Sequence, residues 1–293
     1  MTRNPLCDGY KKVLGIGRNP KENEPVSNKR SSHAPTHLIV DCHQSLTDSQ
    51  WQVIAPLLPV HRKRHHYLRL IVDALRYICR TGYQWRCLAS SFAPWSAVYY
   101  YFRRWQLSGL WQTRIDAVNQ ADRLAASRPA TPLLVCLDSQ SVRFEPRIFK
   151  HRGLAGGKHV NRRKRQITTD VQGRILACRV HAANGHDGVE ALQLLPARPG
   201  WGVRLLTIVT DKGYRGRFAR HMAKLGFTHQ VGSRPPSTRG FVPVAKRWVV
   251  ERTFAWLTSF RRLAIDYEFT PHSHETWLLI ANMTMCLNRL APA

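Results

Sequence analysis

The chain has few acidic residues and no paired cysteines. Its 293 residues include 18 Asp and Glu against 45 Lys and Arg, which gives a formal net charge of +27 at pH 7. The seven cysteines are scattered and form no C-x-x-C pair. Neither a disulfide framework nor a zinc knuckle is therefore expected.

Long apolar segments are missing as well. The sequence has no run of about 18 apolar residues that could span a bilayer. The N-terminus lacks the apolar region of a signal peptide, and no basic amphipathic helix accompanies a lipidation signal. We therefore expect a cytoplasmic, nucleoid-associated protein without a membrane partner.

The large excess of positive charge favours a polyanionic partner, because it raises the local concentration of phosphate groups. DNA or RNA is the first expectation, and a merely soluble basic protein is the alternative. A chain of this length can bury a sizeable core in one large domain or two modest ones.

The first part of the chain divides into a polar arm and a helical region. Residues 1–44 show no apolar periodicity, which predicts a disordered basic arm. Residues 45–128 show helical periodicity and begin with a capping box at Thr47 to Gln50. After this first short helix, which Pro59 ends, helices are predicted over 66–80, 87–91, 94–107 and 110–127.

The helix predicted over 94–107 is both aromatic and basic. It carries Tyr100, Arg103 and Arg104 among its side chains. A three-helix unit with such a last helix resembles a helix-turn-helix, whose recognition helix enters the major groove of DNA. The alternative is an ordinary helical cap in which the tyrosines belong to the core.

The pattern changes to strands in the second part, residues 129–293. An apolar run from Leu133 to Asp138 predicts a strand buried on both faces, and Gln172-Gly173 predicts a hairpin turn between strands at 166–171 and 174–181. The remaining elements are helices at 187–195, 218–225 and 244–263 and strands at 205–210 and 228–231. This order predicts an α/β, ribonuclease-H-like domain.

Three of the scarce acids fall at chemically useful places. Asp138 and Asp211 each close an apolar run, and ligands bind at the carboxyl ends of strands in open α/β sheets. Glu251 lies on the helix face opposite a predicted core stripe, which consists of Val249, Thr253, Trp256, Leu257 and Phe260.

Three such carboxylates could hold two divalent cations about 3.5–4 Å apart, with Mg²⁺ as the preferred ion and Mn²⁺ as a substitute. The plain alternatives are turn-forming aspartates and a surface ion pair between Glu251 and Arg247.

Several segments together resemble bacterial insertion-sequence transposases of the IS-five family. In the helical part they are LTDSQWQVIAPLLP at 46–59, RTGYQWR at 80–86 and PWSAVYYYFRRW at 94–105. In the second part they are DSQSV at 138–142, GK at 157–158 with RRKR at 162–165, DKGY at 211–214 and RWVVERTFAW at 247–256. The segments keep the family's order and cover about residues 45–291.

The resemblance implies a DDE transposase in which Asp138, Asp211 and Glu251 bind the metal ions. Water would cleave DNA at the ends of the element, and the freed 3'-hydroxyl would attack target DNA. It also implies that Tyr214 and Arg247 lie near the active site, where both are expected to contact DNA. Arg247 would contact a phosphate or hold Glu251 in place. Pairing two ends requires two protomers, so a homodimer on double-stranded DNA is expected.

Two positions depart from the family's pattern around Glu251. Val244 stands where a Tyr is usual, and Thr258 stands where a basic residue is usual. We hypothesise that Arg262, which shares the predicted polar helix face with Glu251, supplies the missing DNA contact.

A basic segment precedes the second group of strands. Between Arg143 and Arg165 there are nine Lys or Arg and one acid, Glu145. We predict a DNA-backbone clamp, with a solvated loop as the alternative. Its proposed contacts are Lys158, Arg162, Arg163, Lys164 and Arg165. Downstream, Asp187 is predicted to cap a helix.

Two other functions compete with transposition. One is a different ribonuclease-H-like nuclease that acts on RNA or structured DNA. The other is a non-enzymatic DNA-binding regulator in which the acids are structural.

Overall fold

The computed structural model describes residues 45–59, 65–145, 147, 153–154, 161–194, 204–232 and 248–292. The predicted disordered arm, residues 1–44, lies outside the described residues. Across the ranges that are described, no helix has both the length and the apolar character needed to cross a bilayer.

Helices form the first part of the chain, as the periodicity predicts. The Thr47 capping box is present, with reciprocal hydrogen bonds between Thr47 and Gln50, and Gly82 ends the second helix at φ 74°. The prediction of a helix over 87–91 is wrong, because only a 3-10 turn forms, at Trp85–Cys87. The helices are α1 (Asp48–Ile54), α2 (Leu68–Thr81), α3 (Trp95–Leu107) and α4 (Leu110–Ala125).

The second part contains a six-stranded mixed sheet. Its strand order is β4-β3-β1-β5-β6, and the two-residue β2 pairs with the beginning of β3. β1 runs antiparallel to β3 and parallel to β5. The strands are β1 (Leu134–Val142), β2 (Gly153–Leu154), β3 (Asn161–Thr169), β4 (Ile175–Ala182), β5 (Thr207–Thr210) and β6 (Thr228–Val231).

Five further helices cover the sheet or follow it within the described ranges. They are α5 (Asp187–Glu190), α6 (Arg217–Lys224), α7 (Trp248–Thr258), α8 (Arg261–Ala264) and α9 (Pro271–Leu290). The prediction of a single helix up to residue 263 is wrong at its end, because the helix is interrupted at Ser259 and Phe260. Arg80 Nη1 donates to the Ser259 carbonyl at 3.2 Å, which satisfies a backbone acceptor at the break.

Side-chain alternation gives the sheet two buried faces. Val135, Leu137 and Ile208 point to the α5/α6 face, where they pack with Phe218. On the opposite face, called here the α7/α9 face, Cys136, Ile167 and Val209 pack with Val250, Phe254 and Trp277. The two faces therefore bury both sides of the central strands.

The long helix α9 lies at the centre of the molecule. It contacts α2 and α4 from the helical part and β4 from the sheet. Trp277, Leu278, Ile280 and Ala281 are fully buried in a core that also contains Ile71 from α2. The two predicted segments, 45–128 and 129–293, thus share one hydrophobic core.

Candidate active site

Asp138 lies within β1 instead of at its end, which corrects the prediction. β1 continues to Val142 because β3 still pairs with it, whereas its pairing with β5 stops at Cys136. Asp138 stands opposite Ile167 of β3, so its side chain belongs to the α7/α9 face. It is half-buried, and its Oδ1 accepts a hydrogen bond from the Ser139 N–H at 2.7 Å.

Asp211 follows β5 directly, as predicted. Its backbone is still extended (φ −84°, ψ −175°), and Val209 pairs with Cys136. The pairing itself ends there, but the same register continued for two residues would bring Asp211 level with Asp138. Asp211 Oδ1 accepts from the Gly213 N–H at 2.8 Å, which fixes the orientation of a half-buried carboxylate.

Glu251 is exposed on α7, and α7 packs against β1 and β3. The outward position of Glu251 agrees with the helical-wheel prediction, but the predicted core stripe is partly wrong. Trp256 is 36% exposed, whereas Val250 and Phe254 face the core. The buried side chains of α7 are Val249, Val250, Thr253, Phe254 and Leu257.

The three carboxylates do not form a closed metal centre in this arrangement. In the described parts of the chain, no three His, Cys, Asp or Glu side chains are grouped closely enough to hold one ion. Asp138 in β1 and Asp211 directly after β5 offer carboxylate oxygens, the ligands that a hard cation takes. Glu251 lies on α7, the helix that packs against β1, and β1 contains Asp138.

Tyr214 is a buried residue close to the carboxylates at this end of the sheet. Its side chain is 1% exposed, and its hydroxyl is 3.5 Å from Gln166 Nε2. Burial raises the pKa of Tyr214 well above its usual value, and the carboxylates of Asp138, Asp187 and Asp211 raise it further. Because it is buried, Tyr214 does not contact DNA directly, which corrects its predicted role.

Asp187, which is predicted to cap a helix, is a neighbour of this site. Its Oδ1 accepts from Lys164 Nζ at 2.9 Å, and its carbonyl accepts from Gln166 at 2.9 Å. The cap of α5 is instead His186, whose Nδ1 accepts from the Gly188 N–H. The position of Asp187 beside this site depends on β3, whose Lys164 and Gln166 both donate to it.

The basic segment on β3 alternates between the two sheet faces, so the predicted clamp is wrong for two of its five residues, Arg163 and Arg165. Arg163 is 1% exposed and pairs with Asp266 at 2.9 Å. Arg165 is 2% exposed, donates to Gln140 and lies 5.7 Å from the Phe254 ring centre. Both guanidinium groups are internal and cannot contact DNA.

The other two members of the RRKR segment point the opposite way. Arg162 and Lys164 are half-buried, and Lys164 is engaged with Asp187. Lys158 and Arg247 lie outside the described residues, so their predicted DNA contacts stay predictions.

Arg262 does not share a helix face with Glu251, which contradicts the hypothesis that it replaces the missing basic residue. It lies on the separate helix α8 and is 7% exposed. Its Nη2 is 2.6 Å from Glu268 Oε1, and its guanidinium lies 5.5 Å from the Trp277 ring centre. Arg262 is therefore a core cation.

The aromatic and basic face of α3 is open to solvent. Tyr100 is 52% exposed, and its hydroxyl accepts from Arg104 Nη1 at 2.8 Å. Arg103 is half-buried and donates to Gln106. The buried side of the same helix consists of Val98, Phe102, Trp105 and Gln106.

Comparison with known proteins identifies the class to which this fold and these acids belong. A family model described as "Transposase DDE domain" matches residues 129–288, which is more than half of the chain. A DDE domain implies a ribonuclease-H-like fold, in agreement with the mixed sheet and its helices. A second model, "Putative transposase of IS4/5 family", matches residues 46–114.

The chain therefore belongs to the IS4/5 family of DDE transposases. It is similar to a protein of Burkholderia cepacia named "Putative transposase for insertion sequence element IS402". The two are 32% identical over 137 residues, which cover 44% of this chain and 65% of the relative. The match thus spans just under two thirds of that relative's length.

Proposed function

We propose that the protein is a DNA transposase that binds the terminal inverted repeats of an insertion sequence and catalyses strand cleavage and strand transfer. The observation that carries this proposal is the pair Asp138 and Asp211 within the matched DDE domain. Asp138 lies in β1, Asp211 directly follows β5, and β1 and β5 pair in parallel. Glu251, on the helix that covers β1, is the third proposed acid.

The donor set of the proposed site consists of carboxylate oxygens, which suit Mg²⁺, with Mn²⁺ as a substitute. A pair of such ions would activate the attacking water or 3'-hydroxyl and stabilise the leaving oxygen. Asp138, Asp211 and Glu251 would hold them. Because the three are not grouped around one point, at least one of these side chains must shift when metal and DNA bind.

The protein's own residues contribute orientation and exclusion of water. The backbone N–H groups of Ser139 and Gly213 hold one oxygen of Asp138 and Asp211, respectively. Tyr214 excludes water from one side of the site, because it is buried and packs against Phe218. The two ring centres are 5.6 Å apart. Such preorganised support keeps two like charges in place before the substrate arrives.

DNA binding is proposed for the helical part, with α3 as a helix-turn-helix-like recognition helix. Tyr100 and Arg104 supply an exposed aromatic and basic surface there. We also propose that two protomers assemble on DNA to pair the two ends.

The test is Mg²⁺-dependent cleavage of a supercoiled plasmid that carries the element's native flanks. Asp138→Asn should abolish cleavage and retain binding to the terminal repeats, because it removes a charged ligand and keeps the side-chain shape. Asp48→Asn is the matched control, since Asp48 is an exposed acid on α1 and is not one of the three proposed metal ligands.

Two outcomes would reject this function. Wild-type protein could fail to cut at the flanks while it degrades RNA or structured DNA, as a different nuclease would. Asp138→Asn could also leave every DNA-dependent activity intact, as a non-enzymatic regulator would.

A further inference from the structure

A cationic cleft opens at a place that none of the three acids lines. It has a volume of about 630 Å³ and lies between the C-terminal end of α2, the α7–α8 junction and the end of α9. Three arginines line it, Arg76, Arg80 and Arg289, and its described lining contains no Asp or Glu. Asp138, Asp211 and Glu251 do not line it.

Arg76 is the buried cation of this cleft. It is 5% exposed, and its Nε and Nη1 have no hydrogen-bond partner among the described residues. Asp73 forms an ion pair with Arg76, but its Oδ1 is 3.7 Å from Arg76 Nη1, which is too far for a hydrogen bond. That oxygen already accepts from the Leu46 N–H at 2.6 Å. A buried charge with unused donors needs an acceptor.

Arg80 supplies a second positive charge at the exposed rim. Its Nη1 donates to the Ser259 hydroxyl at 2.7 Å, and its guanidinium lies 5.4 Å from the Phe260 ring centre. No carboxylate pairs with Arg80 in the described ranges. Arg289 adds less to the positive potential of the cleft, because it forms an ion pair with Asp122. Its Nη2 is 2.6 Å from Asp122 Oδ2.

We propose that this cleft is a phosphate-binding site in which Arg76 and Arg80 hold the anion. Guanidinium groups match the oxygens of a phosphate group bidentately, and hydroxyl and amide groups of Ser259 and Asn288 also line the cleft. The phosphate can come from the DNA backbone or from free phosphate and nucleotides. As a DNA contact the cleft rests on the proposed function, whereas its affinity for phosphate does not.

The experiment compares the intact wild-type chain with Arg80→Gln and Arg76→Met. Calorimetric titration measures the binding of inorganic phosphate, and fluorescence anisotropy measures the binding of a short DNA duplex as a function of salt. Arg220→Gln is the matched control, because Arg220 is exposed on α6 and its replacement removes the same charge. Arg80 is exposed, so its variant keeps the test valid if Arg76→Met does not fold.

Arg80→Gln should lower phosphate affinity about tenfold or more, as expected for a lost charge-assisted hydrogen bond. If the DNA backbone occupies the cleft, Arg80→Gln should also reduce the slope of log K against log salt concentration for duplex binding. The reduction should correspond to the loss of about one phosphate contact. Loss of phosphate binding with unchanged duplex binding would assign the cleft to free phosphate or nucleotides.

The proposal is overturned if wild-type protein binds no phosphate, or if Arg80→Gln and Arg220→Gln behave alike in both measurements. The plasmid assay is independent of this result. Wild-type protein that binds phosphate through Arg80 but cuts no flanking DNA would retain the cleft and reject the transposase function.

Discussion

Arg163→Met distinguishes a core arginine from a DNA clamp. Arg163 Nη1 is 2.9 Å from Asp266 Oδ2 and 2.7 Å from the Glu268 carbonyl, and Nη2 is 3.1 Å from the Phe269 carbonyl. Its side chain is 1% exposed and that of Asp266 is fully buried. Methionine fills much of the space but leaves the Asp266 carboxylate with one cation fewer.

The expected cost is about 3–5 kcal/mol of unfolding free energy, which is typical when one partner of a buried ion pair is removed. Burial alone would raise the pKa of Asp266, but His274 and Arg163 outweigh it and hold the pKa at about 2. Without Arg163 that pKa must rise. The variant's deficit should therefore shrink as the pH falls and Asp266 is protonated.

Urea denaturation followed by tryptophan fluorescence, at neutral pH and near pH 4, measures this cost. Arg217→Met, which removes an exposed charge from α6, should change stability by less than about 0.5 kcal/mol. Full stability of Arg163→Met together with weaker DNA binding would refute the internal role and restore the clamp.

Two further predictions concern the helical part and the hairpin. Burial raises the pKa of Asp73 to about 6, so wild-type protein gains stability as the pH falls from neutrality towards about 4. Asp73→Asn should remove this dependence, worth about 3 kcal/mol, and denaturation midpoints that shift equally with pH in both proteins would contradict it. Gly173→Ala should cost about 2 kcal/mol, because Gly173 has φ +86° and a Cβ would lie 2.6 Å from Thr253 Oγ1. Gly226→Ala, at φ +79° in open space, should show only the backbone cost of about 1 kcal/mol in thermal denaturation, and equal losses would refute the steric part.

Local signals were sufficient for elements whose boundaries depend on neighbouring residues. The Thr47 capping box, the Gly82 cap and strand β6 at Thr228–Val231 agree with the sequence-based predictions. Each depends on a cap, a turn or a short run of strand-forming residues, which act within a few positions along the chain.

Features set by distant partners were not predictable in the same way. β1 continues past Asp138 because β3 pairs with it, and the sequence of β1 alone does not show this partner. The basic run on β3 reads as a solvated surface, yet Arg163 points to Asp266, about a hundred residues later. Helix α9 escapes sequence-based prediction, because buried residues lie on most of its faces and its apolar pattern lacks an amphipathic period.

The candidate site follows the same division. Asp138, Asp211 and Glu251 were found from their positions beside apolar runs and by family resemblance, and the level placement of the two aspartates depends on the parallel pairing of β1 and β5. The prediction for Arg262 is wrong for a local reason, because it assumes that one continuous helix carries both Glu251 and Arg262. The helix ends at Thr258, so the angular count from Glu251 no longer applies.

The central position of α9 has a mechanical consequence for any DNA held by the protein. Since this helix packs with α2, α4 and β4 in one shared core, we expect α3 and the aspartates to keep a fixed distance from each other. The protein would then set the spacing between a recognised repeat and the scissile bond. Inserting half a helical turn of DNA between the two should therefore misplace the cut.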